Sequence, residues 1–324
     1  MVTLVTGATG LVGNNVVRAL VERGSAVRVL ARDSADSRPL QGLDVEMCRG
    51  DVRDRAAVQS AMRGVARVIH AAGYVRIGWR DLELAREINV EGTRNVAEAA
   101  RAEGARMVHV SSIDALGEAK RGKPADEDTP IKGGVLCPYV VTKREAEAVV
   151  SKCVDDGLQA TIVNPGYMIG PYDWKPSSGE MLLQVAKGWA LFAPMGGNSF
   201  CDVRDVAGGI LAALAHGQNG RRYVLAGEVL SYYRAWRIFA EVTGGTPPVL
   251  PAGKLMRLGA GHVGDLVGLV TGREPPVNSA ATALSGQWRE YSSARAKREL
   301  GYESRPLRDA ATDAWRWFRE NGYV

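Results

Sequence analysis

Three glycines at three-residue spacing lie at the start of the chain, between a predicted strand and a predicted helix. Val2–Val5 is a short apolar run that predicts a buried strand, and the apolar side chains of Asn14–Arg23 recur at helical spacing. A strand that turns directly into a helix leaves free backbone N–H groups at the positive end of the helix dipole, where a pyrophosphate binds well. Gly7 permits the tight turn, Gly10 the approach of phosphates, and Gly13 the close packing of helix on strand. The pattern therefore favours a dinucleotide site over an ordinary glycine-rich turn.

Strands and helices alternate from this turn to about residue 165. Further strands are predicted at Ala26–Ala31, Val45–Cys48, Ala66–Ala71, Arg106–Val110 and Ala160–Val163, and helices at Arg53–Met62, Ile88–Glu103 and Tyr139–Val154. This alternation predicts an α/β fold: a Rossmann doubly wound parallel sheet with helices on both faces. After Gly166 the regularity breaks, which indicates a smaller mixed C-terminal lobe. We expect residues 1–163 to form a dinucleotide-binding Rossmann domain, rejoined by about 203–226, and residues 164–202 and 227–324 to form a substrate-binding lobe.

The end of the second predicted strand bears on the choice of dinucleotide. An NAD site usually has an acidic residue there that holds the ribose hydroxyls, whereas this strand ends in Ala31 and is followed by Arg32. A guanidinium suits a 2′-phosphate, so NADP(H) is the preferred cofactor. The alternative is a solvated Arg32 with Asp33 on the ribose, which would admit NAD(H).

Ser112, Tyr139 and Lys143 form the candidate catalytic set. Residues four apart on a helix share a face, so the Lys143 ammonium should stabilise the Tyr139 phenolate and lower its pKa. A phenol tuned in this way can exchange a proton with an alcohol, and Ser112, at the end of a predicted strand, can hold the same substrate oxygen. The Tyr–Lys spacing alone is common on helix surfaces. Its place at the carboxyl end of the predicted sheet, where a nicotinamide would lie, favours catalysis over a chance pair.

These motifs, taken in order, resemble the extended short-chain dehydrogenase/reductase superfamily. The resemblance rests on Thr6-Gly-Ala-Thr-Gly-Leu-Val-Gly13, Asp51-Val52, His70-Ala-Ala-Gly73, Asn89-Val-Glu-Gly-Thr93, Ser111-Ser112, Tyr139-Val-Val-Thr-Lys143 and Asn164-Pro-Gly166. Within it, Val27-Arg-Val-Leu-Ala-Arg-Asp33 resembles the dihydroflavonol-4-reductase-like branch. Three later segments are similar to the hopanoid-associated sugar epimerases: Ile169–Pro176, Leu269–Pro275 and Tyr291–Tyr302.

The resemblance implies a role for each matching residue. Tyr139 would be the general acid/base, Lys143 would tune it, Ser112 would orient the substrate carbonyl, and Asn89 would order the backbone and a water near the lysine. The implied cofactor-binding residues are Thr6, Gly7, Thr9, Gly10, Leu11, Val12, Gly13, Arg32, Asp51, Val52, Ala71, Ala72, Gly73, Ser111, Tyr139, Lys143, Pro165 and Gly166. Relatives pair the helices Ile88–Glu103 and Tyr139–Val154 in a four-helix interface, which implies a homodimer.

Two enzymatic functions fit this set, and the sequence favours an NADP-dependent carbonyl reductase. The alternative is an NAD(P)-retaining nucleotide-sugar epimerase or dehydratase. Many sugar epimerases have an aromatic residue in the run that here reads Asp114-Ala-Leu-Gly117, and their pyrophosphate-binding arginines are matched only weakly by Arg204 and Arg295. A third, non-catalytic hypothesis is a dinucleotide sensor, which would have no use for a tuned phenol.

Two loops rich in apolar and aromatic residues should cover the substrate pocket. If these side chains line it, the substrate is partly apolar, such as an aromatic or alicyclic ketone or aldehyde; the alternative is that about half of them only fill the core. The candidate lining residues are Tyr74, Ile77, Trp79, Met168, Tyr172 and Trp174.

Composition and charge exclude several other classes. The net charge of +5 comes without a long basic run, which argues against nucleic acid as a partner. The four cysteines are scattered without metal-ligand spacing, so we expect reduced thiols, no metal and a cytoplasmic location. The chain starts directly in a predicted strand, which leaves no room for a signal peptide. The apolar stretch Leu255–Val270 is too short and too polar to span a bilayer, so no membrane insertion is expected.

Overall fold

The computed structural model describes all 324 residues, and its main layer is a seven-stranded parallel sheet. Along this sheet the order is β10-β6-β5-β4-β1-β2-β3, so the chain winds outward from β1 in both directions. The strands of the chain are β1 Val2–Thr6, β2 Ala26–Ala31, β3 Glu46–Arg49, β4 Val65–His70, β5 Arg106–Val110, β6 Ala160–Pro165, β7 Tyr167–Ile169, β8 Phe192–Pro194, β9 Gly197–Asp202, β10 Arg222–Leu225, β11 Glu228–Ser231, β12 Leu250–Ala252 and β13 Trp288–Arg289. The predicted doubly wound sheet is confirmed.

Helices cover both faces of the large sheet. The helices are α1 Leu11–Glu22, α2 Arg55–Met62, α3 Leu82–Arg86, α4 Gly92–Ala102, α5 Pro138–Asp155, α6 Glu180–Ala186, α7 Val203–His216, α8 Tyr232–Thr243, α9 Lys254–Thr271, α10 Ser279–Ser285, α11 Ala294–Leu300 and α12 Leu307–Glu320. On one face α1 and α7 pack on alternate sheet residues such as Val5 and Val29, and on the other face α2, α4 and α5 pack on Leu4 and Val68. This two-sided burial explains why the strands read as nearly continuous apolar runs.

The C-terminal part has its own small sheets and aromatic core. Strand β9 pairs with β7, β11 and β13, and β8 pairs with β12. Beside them α6, α8 and α12 enclose a cluster that includes Phe200, Phe239 and Phe318. The division into two domains at about residue 163 stays a prediction, although α7 and β10 do return to the large sheet.

One predicted helix is interrupted. Ile88–Glu103 was expected to be continuous, but the segment Glu87–Glu91 forms a single π-helical stretch between α3 and α4. Such stretches insert an extra residue into a helix and often occur at functional sites. Here the π-helical segment carries Asn89, whose side chain is buried.

No helix of the structure is both long and apolar enough to cross a membrane.

Candidate functional site

The turn after β1 has the close approaches that its glycines predict. Gly7 has φ +73°, and a Cβ there would lie 2.5 Å from the backbone carbon of Ala71. A Cβ on Gly13 would lie 2.2 Å from the Gly7 carbonyl oxygen, whereas one on Gly10 would meet that oxygen at an ordinary 3.4 Å. Gly7 and Gly13 therefore have no room for a side chain, whereas Gly10 is exposed and has room for one.

Helix α1 begins at this turn without a side-chain cap. Its first three amides, those of Leu11, Val12 and Gly13, find no acceptor within the chain. Unpaired amides at the positive end of a helix form an anion site. Thr9, which precedes the Gly10 cap, is only partly buried at the same edge.

Thr6 is buried and its side chain bonds within the protein, and its expected contact with the cofactor stays a prediction. Its hydroxyl lies 2.7 Å from Nδ1 of His70, and the backbone N–H of Ala72 donates to it. On the other side of the imidazole, Nε2 lies 3.0 Å from the Thr93 hydroxyl, which itself donates to the Asn89 carbonyl. Thr93 must therefore accept from an N–H at Nε2, and Thr6 donates to Nδ1. Burial lowers the pKa of His70 to about 3, so it stays a neutral packing residue.

The end of β2 presents Arg32 to solvent without an ion pair. Asp33, the alternative ribose partner, is nearly fully exposed and lies 3.9 Å from Arg49. The exposed and unpaired guanidinium fits an anionic group at the end of this strand.

Asp51 and Val52 follow β3. The Asp51 carboxylate accepts from Nε and Nη2 of Arg53 at 3.1 and 3.0 Å, and this pairing lowers the pKa of Asp51. Val52 is buried under Gly92, where a Cβ would lie 2.8 Å from the valine methyl. The carboxylate thus already has a partner, and Val52 packs against the start of α4.

The three candidate catalytic residues converge at the carboxyl end of β5. Ser112 follows this strand, and the buried Tyr139 and Lys143 lie one turn apart near the start of α5. Lys143 Nζ donates to the Val110 carbonyl at 3.0 Å, and burial lowers the pKa of this ammonium to about 8. The pKa of Tyr139 is raised because burial penalises the phenolate more than a hydrogen bond with Ser112 stabilises it. The expected lowering of the Tyr139 pKa by Lys143 is not present in this structure.

Gly73 brings the end of β4 next to this set. A Cβ on Gly73 would lie 3.5 Å from Lys143 Nζ and 3.3 Å from Asn89 Oδ1. The Asn89 amide accepts from the Tyr74 N–H at 2.6 Å and donates to the Tyr74 carbonyl and to Thr142 Oγ1. Asn89 therefore ties the Gly73–Tyr74 backbone to α5, which is the backbone-ordering part of its predicted role.

Glu147 is a buried residue of the site that the sequence analysis missed. It lies one turn beyond Lys143, and its charge raises the pKa of that ammonium. Its carboxylate accepts from the Ser111 hydroxyl at 2.5 Å, from Asn164 Nδ2 at 2.7 Å and from Arg222 Nε at 2.7 Å. The Ser111 hydroxyl thus faces Glu147, and the expected contact of Ser111 with the cofactor stays a prediction. The i,i+4 spacing to Lys143 was the signal that could have identified Glu147.

A second missed feature is the partly buried ion pair between Asp114 and Arg289. Ser112 Oγ lies 3.1 Å from Asp114 Oδ2, and the Arg289 guanidinium reaches the same carboxylate from β13. Burial lowers the pKa of Arg289 to about 10. The pair links Ser112 to the C-terminal part, and no local pattern signals it because its members lie far apart in the chain.

The expected pocket-lining residues divide between two places. The loop with Tyr74, Ile77 and Trp79 covers the start of α5: Ile77 packs on the cluster around Tyr139, and Trp79 Nε1 donates to Ser279 Oγ at 2.7 Å. Met168 packs on the core under α1 and α7.

Tyr172 and Trp174, by contrast, are partly buried and pack on the C-terminal aromatic core, and their place at the substrate stays a prediction. Their ring centroids lie 5.9 and 5.0 Å from that of Trp317, and Arg18 stacks on Tyr172 at 3.8 Å. An aromatic residue in a loop does not reveal from sequence which cluster it will join.

Pro165 and Gly166 lie where β6 ends. Gly166 is required by the small sheet, since a Cβ would lie 2.4 Å from the Ser199 carbonyl oxygen. Pro165 pairs in register with Leu225 of β10.

The two arginines considered for a pyrophosphate are already in ion pairs. Arg204 pairs with Asp202 and Asp313 at 2.6 and 2.7 Å, and Arg295 pairs with Asp128. No group of three or more potential metal ligands occurs in the chain.

The chain is similar along its whole length to proteins of one family. The model of the NAD dependent epimerase/dehydratase family matches residues 3–226. Sterol demethylase protein B of Methylococcus capsulatus is 37% identical over 100% of both chains. A Synechocystis protein named as a dihydroflavonol 4-reductase is 33% identical over 99% of this chain and 95% of its own. The crystal structure of gox2253 is 37% identical, with a TM-score of 0.88 over 100% of this chain and 99% of that one.

The residues present fit a dinucleotide: three free amides at α1, a glycine turn closed to side chains, and Gly73 beside Lys143. The family model and the full-length relatives point the same way. The chain therefore belongs to the NAD dependent epimerase/dehydratase family of NAD(P)-dependent oxidoreductases, in the dihydroflavonol reductase-like branch of the extended short-chain dehydrogenase/reductase superfamily.

Proposed function

We propose that the protein reduces a ketone or aldehyde to an alcohol with NADPH. The observation that carries this proposal is the convergence of Ser112, Tyr139 and Lys143 beside Gly73, at the carboxyl ends of β4 and β5. In a doubly wound fold these strand ends form the ligand-binding edge. A bound nicotinamide would supply the hydride that the carbonyl carbon accepts.

Residues of the protein would supply the proton and bind the carbonyl oxygen of the substrate. Tyr139 would donate its phenolic proton to the carbonyl oxygen, which becomes the alcohol. The raised pKa of Tyr139 keeps the phenol protonated at neutral pH, as an acid in the reductive direction must be. Ser112 would hold the same oxygen, and Lys143 would supply positive charge beside the phenolate left after the transfer.

Asn89 and Glu147 would act as positioning residues. Asn89 holds the Gly73–Tyr74 backbone against α5, and Glu147 compensates the charge of Lys143 from one turn away. Leu11, Val12 and Gly13 would hold the pyrophosphate through their free backbone N–H groups, and Gly7 and Gly10 would form the turn beside it. Arg32 would take the 2′-phosphate, which is the basis for proposing NADP(H) rather than NAD(H).

A partly apolar substrate is supported by the cover over the site and by the names of two relatives. Ile77 and Trp79 lie in the loop above α5, and the cluster around Tyr139 includes Val140 and Leu284. The names of the Methylococcus and Synechocystis proteins refer to a sterol and to a dihydroflavonol. We therefore propose an aromatic or alicyclic carbonyl compound.

Replacement of the proposed acid tests this function. We expect Tyr139→Phe to reduce NADPH oxidation, measured against a panel of aromatic and alicyclic carbonyl compounds, by roughly 10²- to 10⁴-fold. Cofactor affinity, measured by fluorescence titration, should stay close to that of the wild type. Tyr291→Phe, a buried tyrosine that bonds the Gly117 carbonyl, is the matched control and should keep most of the activity. Full turnover by Tyr139→Phe would remove the proposed acid.

The alternative, an NAD(P)-retaining nucleotide-sugar epimerase or dehydratase, shares the family name. It predicts a cofactor that stays bound through purification and turnover without net oxidation. Two features weigh against it: Arg204 and Arg295 are engaged in ion pairs, and Asp114 stands in the run where many sugar epimerases have an aromatic residue.

The proposal also includes a homodimer through α4 and α5 and a cytoplasmic location. All four cysteines are free thiols, as suits a reducing compartment. A monomer by light scattering at micromolar concentration would exclude the dimer.

A further inference from the structure

Helix α9 turns its glycines toward the protein and its large apolar side chains toward solvent. Its three buried residues are Gly261, Gly264 and Gly268, and a Cβ on Gly264 would lie only 1.9 Å from the Val277 carbonyl oxygen. The inner face therefore has no room for side chains. The exposed apolar residues of the helix are Leu255, Met256, Leu258, Val263, Leu266, Val267, Leu269 and Val270, and Leu255, Leu269 and Val270 are at least three-quarters exposed.

A second exposed apolar segment adjoins the start of this helix. Trp189, Leu191, Phe192 and Met195 are all exposed. Strand β8 in this segment pairs with β12, which precedes α9 in the chain. In this pairing Phe192 lies opposite Leu250, which is also exposed. We refer to the exposed apolar residues of 189–195 and 249–270 as the apolar face. A continuous exposed apolar area of this kind marks an interaction surface.

The charges around the apolar face are mainly basic. Segments 187–195 and 246–277 contain Lys187, Lys254, Arg257 and Arg273 but only two acidic residues, Asp265 and Glu274. Both acids bond inward: Asp265 accepts from the Ser279 N–H at 3.0 Å and Glu274 from the Trp79 N–H at 2.8 Å. Lys187, Lys254 and Arg273 remain exposed. Basic side chains around exposed apolar and tryptophan residues are typical of an element that lies in the headgroup region of an anionic bilayer.

We propose that the apolar face docks the protein on the surface of an anionic lipid bilayer, where the chain lies on the membrane without crossing it. The proposal does not depend on the identity of the substrate. A second copy of the chain fits less well, because a two-fold interface would pair the face with itself and bring its basic border against an identical basic border. Lipid phosphates would instead neutralise that border.

Sedimentation with lipid vesicles tests the proposal. The full-length protein should bind vesicles that contain about a quarter phosphatidylglycerol at least about 10-fold more strongly than pure phosphatidylcholine vesicles, and added salt should weaken the binding. The double substitution Leu255→Glu with Leu269→Glu should reduce this binding at least about 10-fold. The matched control, Met47→Glu with Val324→Glu, introduces the same charge at exposed apolar residues elsewhere and should leave binding within about 2-fold of the wild type.

Circular dichroism and thermal unfolding establish that the variants are folded. If the leucine variant fails to fold, Lys254→Glu with Arg273→Glu provides the same test, and we expect it to remove the preference for anionic vesicles. The proposal is overturned if the wild type does not bind anionic vesicles, or if the folded leucine variant binds as well as the wild type. A dimer by light scattering that the leucine substitutions convert to monomer, without vesicle binding, would assign the face to a second copy and would also overturn it.

Discussion

Alanine substitutions at two neighbouring glycines should separate the stability of the first turn from its binding of a dinucleotide. The Cβ of Gly13→Ala would lie 2.2 Å from the carbonyl oxygen and 2.6 Å from the carbonyl carbon of Gly7. Both are backbone atoms, so no side-chain rotation relieves the overlap and the start of α1 must move. Overpacking of this kind costs about 1–3 kcal/mol, and the contact distances place Gly13 at the upper end. The better helix propensity of alanine stabilises the variant by about 1 kcal/mol, so we expect the free energy of unfolding to fall by about 2 kcal/mol in total.

Gly10→Ala should weaken dinucleotide binding without lowering the stability of the protein. Gly10 has φ −88°, which alanine adopts freely, and its Cβ would meet the Gly7 oxygen at an ordinary 3.4 Å. The lower entropy of the unfolded chain should leave stability unchanged or raise it by about 0.4–1 kcal/mol. The added methyl group would instead occupy the space above the free amides of α1. A cost of about 1–3 kcal/mol there corresponds to a roughly 5- to 150-fold weaker dinucleotide Kd.

Two measurements on each variant separate these effects. Urea unfolding followed by tryptophan fluorescence gives the free energy of unfolding, and calorimetric titration with NADPH gives Kd. Gly208→Ala is the control, because Gly208 is helical with no heavy atom within 4 Å of an added Cβ; it should be about 1 kcal/mol more stable and bind normally. A Gly13→Ala variant as stable as this control would show that the backbone overlap does not destabilise the turn. A Gly10→Ala variant that binds NADPH as tightly as the wild type would show that the phosphates do not lie above Gly10.

Three further predictions concern the cofactor, the pH dependence and the C-terminal core. Arg32→Asp should weaken NADPH binding by roughly 10- to 150-fold and leave NADH binding nearly unchanged, by titration with both; equal effects on both would mean that Arg32 does not contact the ribose phosphate. Glu147→Gln removes the charge that raises the Lys143 pKa, so the fall in kcat near pH 8 should move to lower pH, and an unmoved profile would show that Glu147 does not act through Lys143. Trp317→Ala should lower the free energy of unfolding by about 3–5 kcal/mol while KM at permissive temperature stays within a few-fold, because this ring packs in the C-terminal aromatic core and not in the cluster around Tyr139; a large rise in KM would instead place it at the substrate.

The large sheet could be predicted from sequence because its signals are local. Strands such as Val2–Thr6 and Ala160–Pro165 are buried on both faces and read as apolar runs, and each is followed by a turn signal. The small sheet had no such signal. Strand β9 is fully buried yet reads Gly-Asn-Ser-Phe-Cys-Asp, because its polar side chains find partners in distant segments, as Asn198 does with the Tyr232 hydroxyl.

The same distinction applies to the candidate site. Tyr139 and Lys143 share a helix face, so their proximity follows from spacing alone. The Arg289 partner of Asp114 lies in another part of the fold, and its position depends on the packing of β13 against β9. The π-helical segment around Asn89 could not be predicted either, since it inserts one residue into an otherwise regular amphipathic pattern.

The buried polar layer beneath the site determines which group can give the enzyme its pH dependence. His70 and His109 lie side by side on β4 and β5, with ring centroids 5.5 Å apart, and both are fully buried next to Lys143. Burial lowers the pKa of His70 to about 3 and holds that of His109 well below its ordinary value, with the Lys143 charge acting in the same direction. The His70 imidazole therefore stays neutral between pH 5 and 7, and burial shifts the pKa of His109 in the same direction. Tyr139 is shifted upward, away from neutrality, which leaves Lys143, with a pKa of about 8, as the group at the site that changes charge near neutral pH. A Lys143 that must be charged to stabilise the phenolate gives an activity that is flat below pH 7 and falls as pH rises through 8, and an additional loss of activity near pH 6 would contradict this assignment.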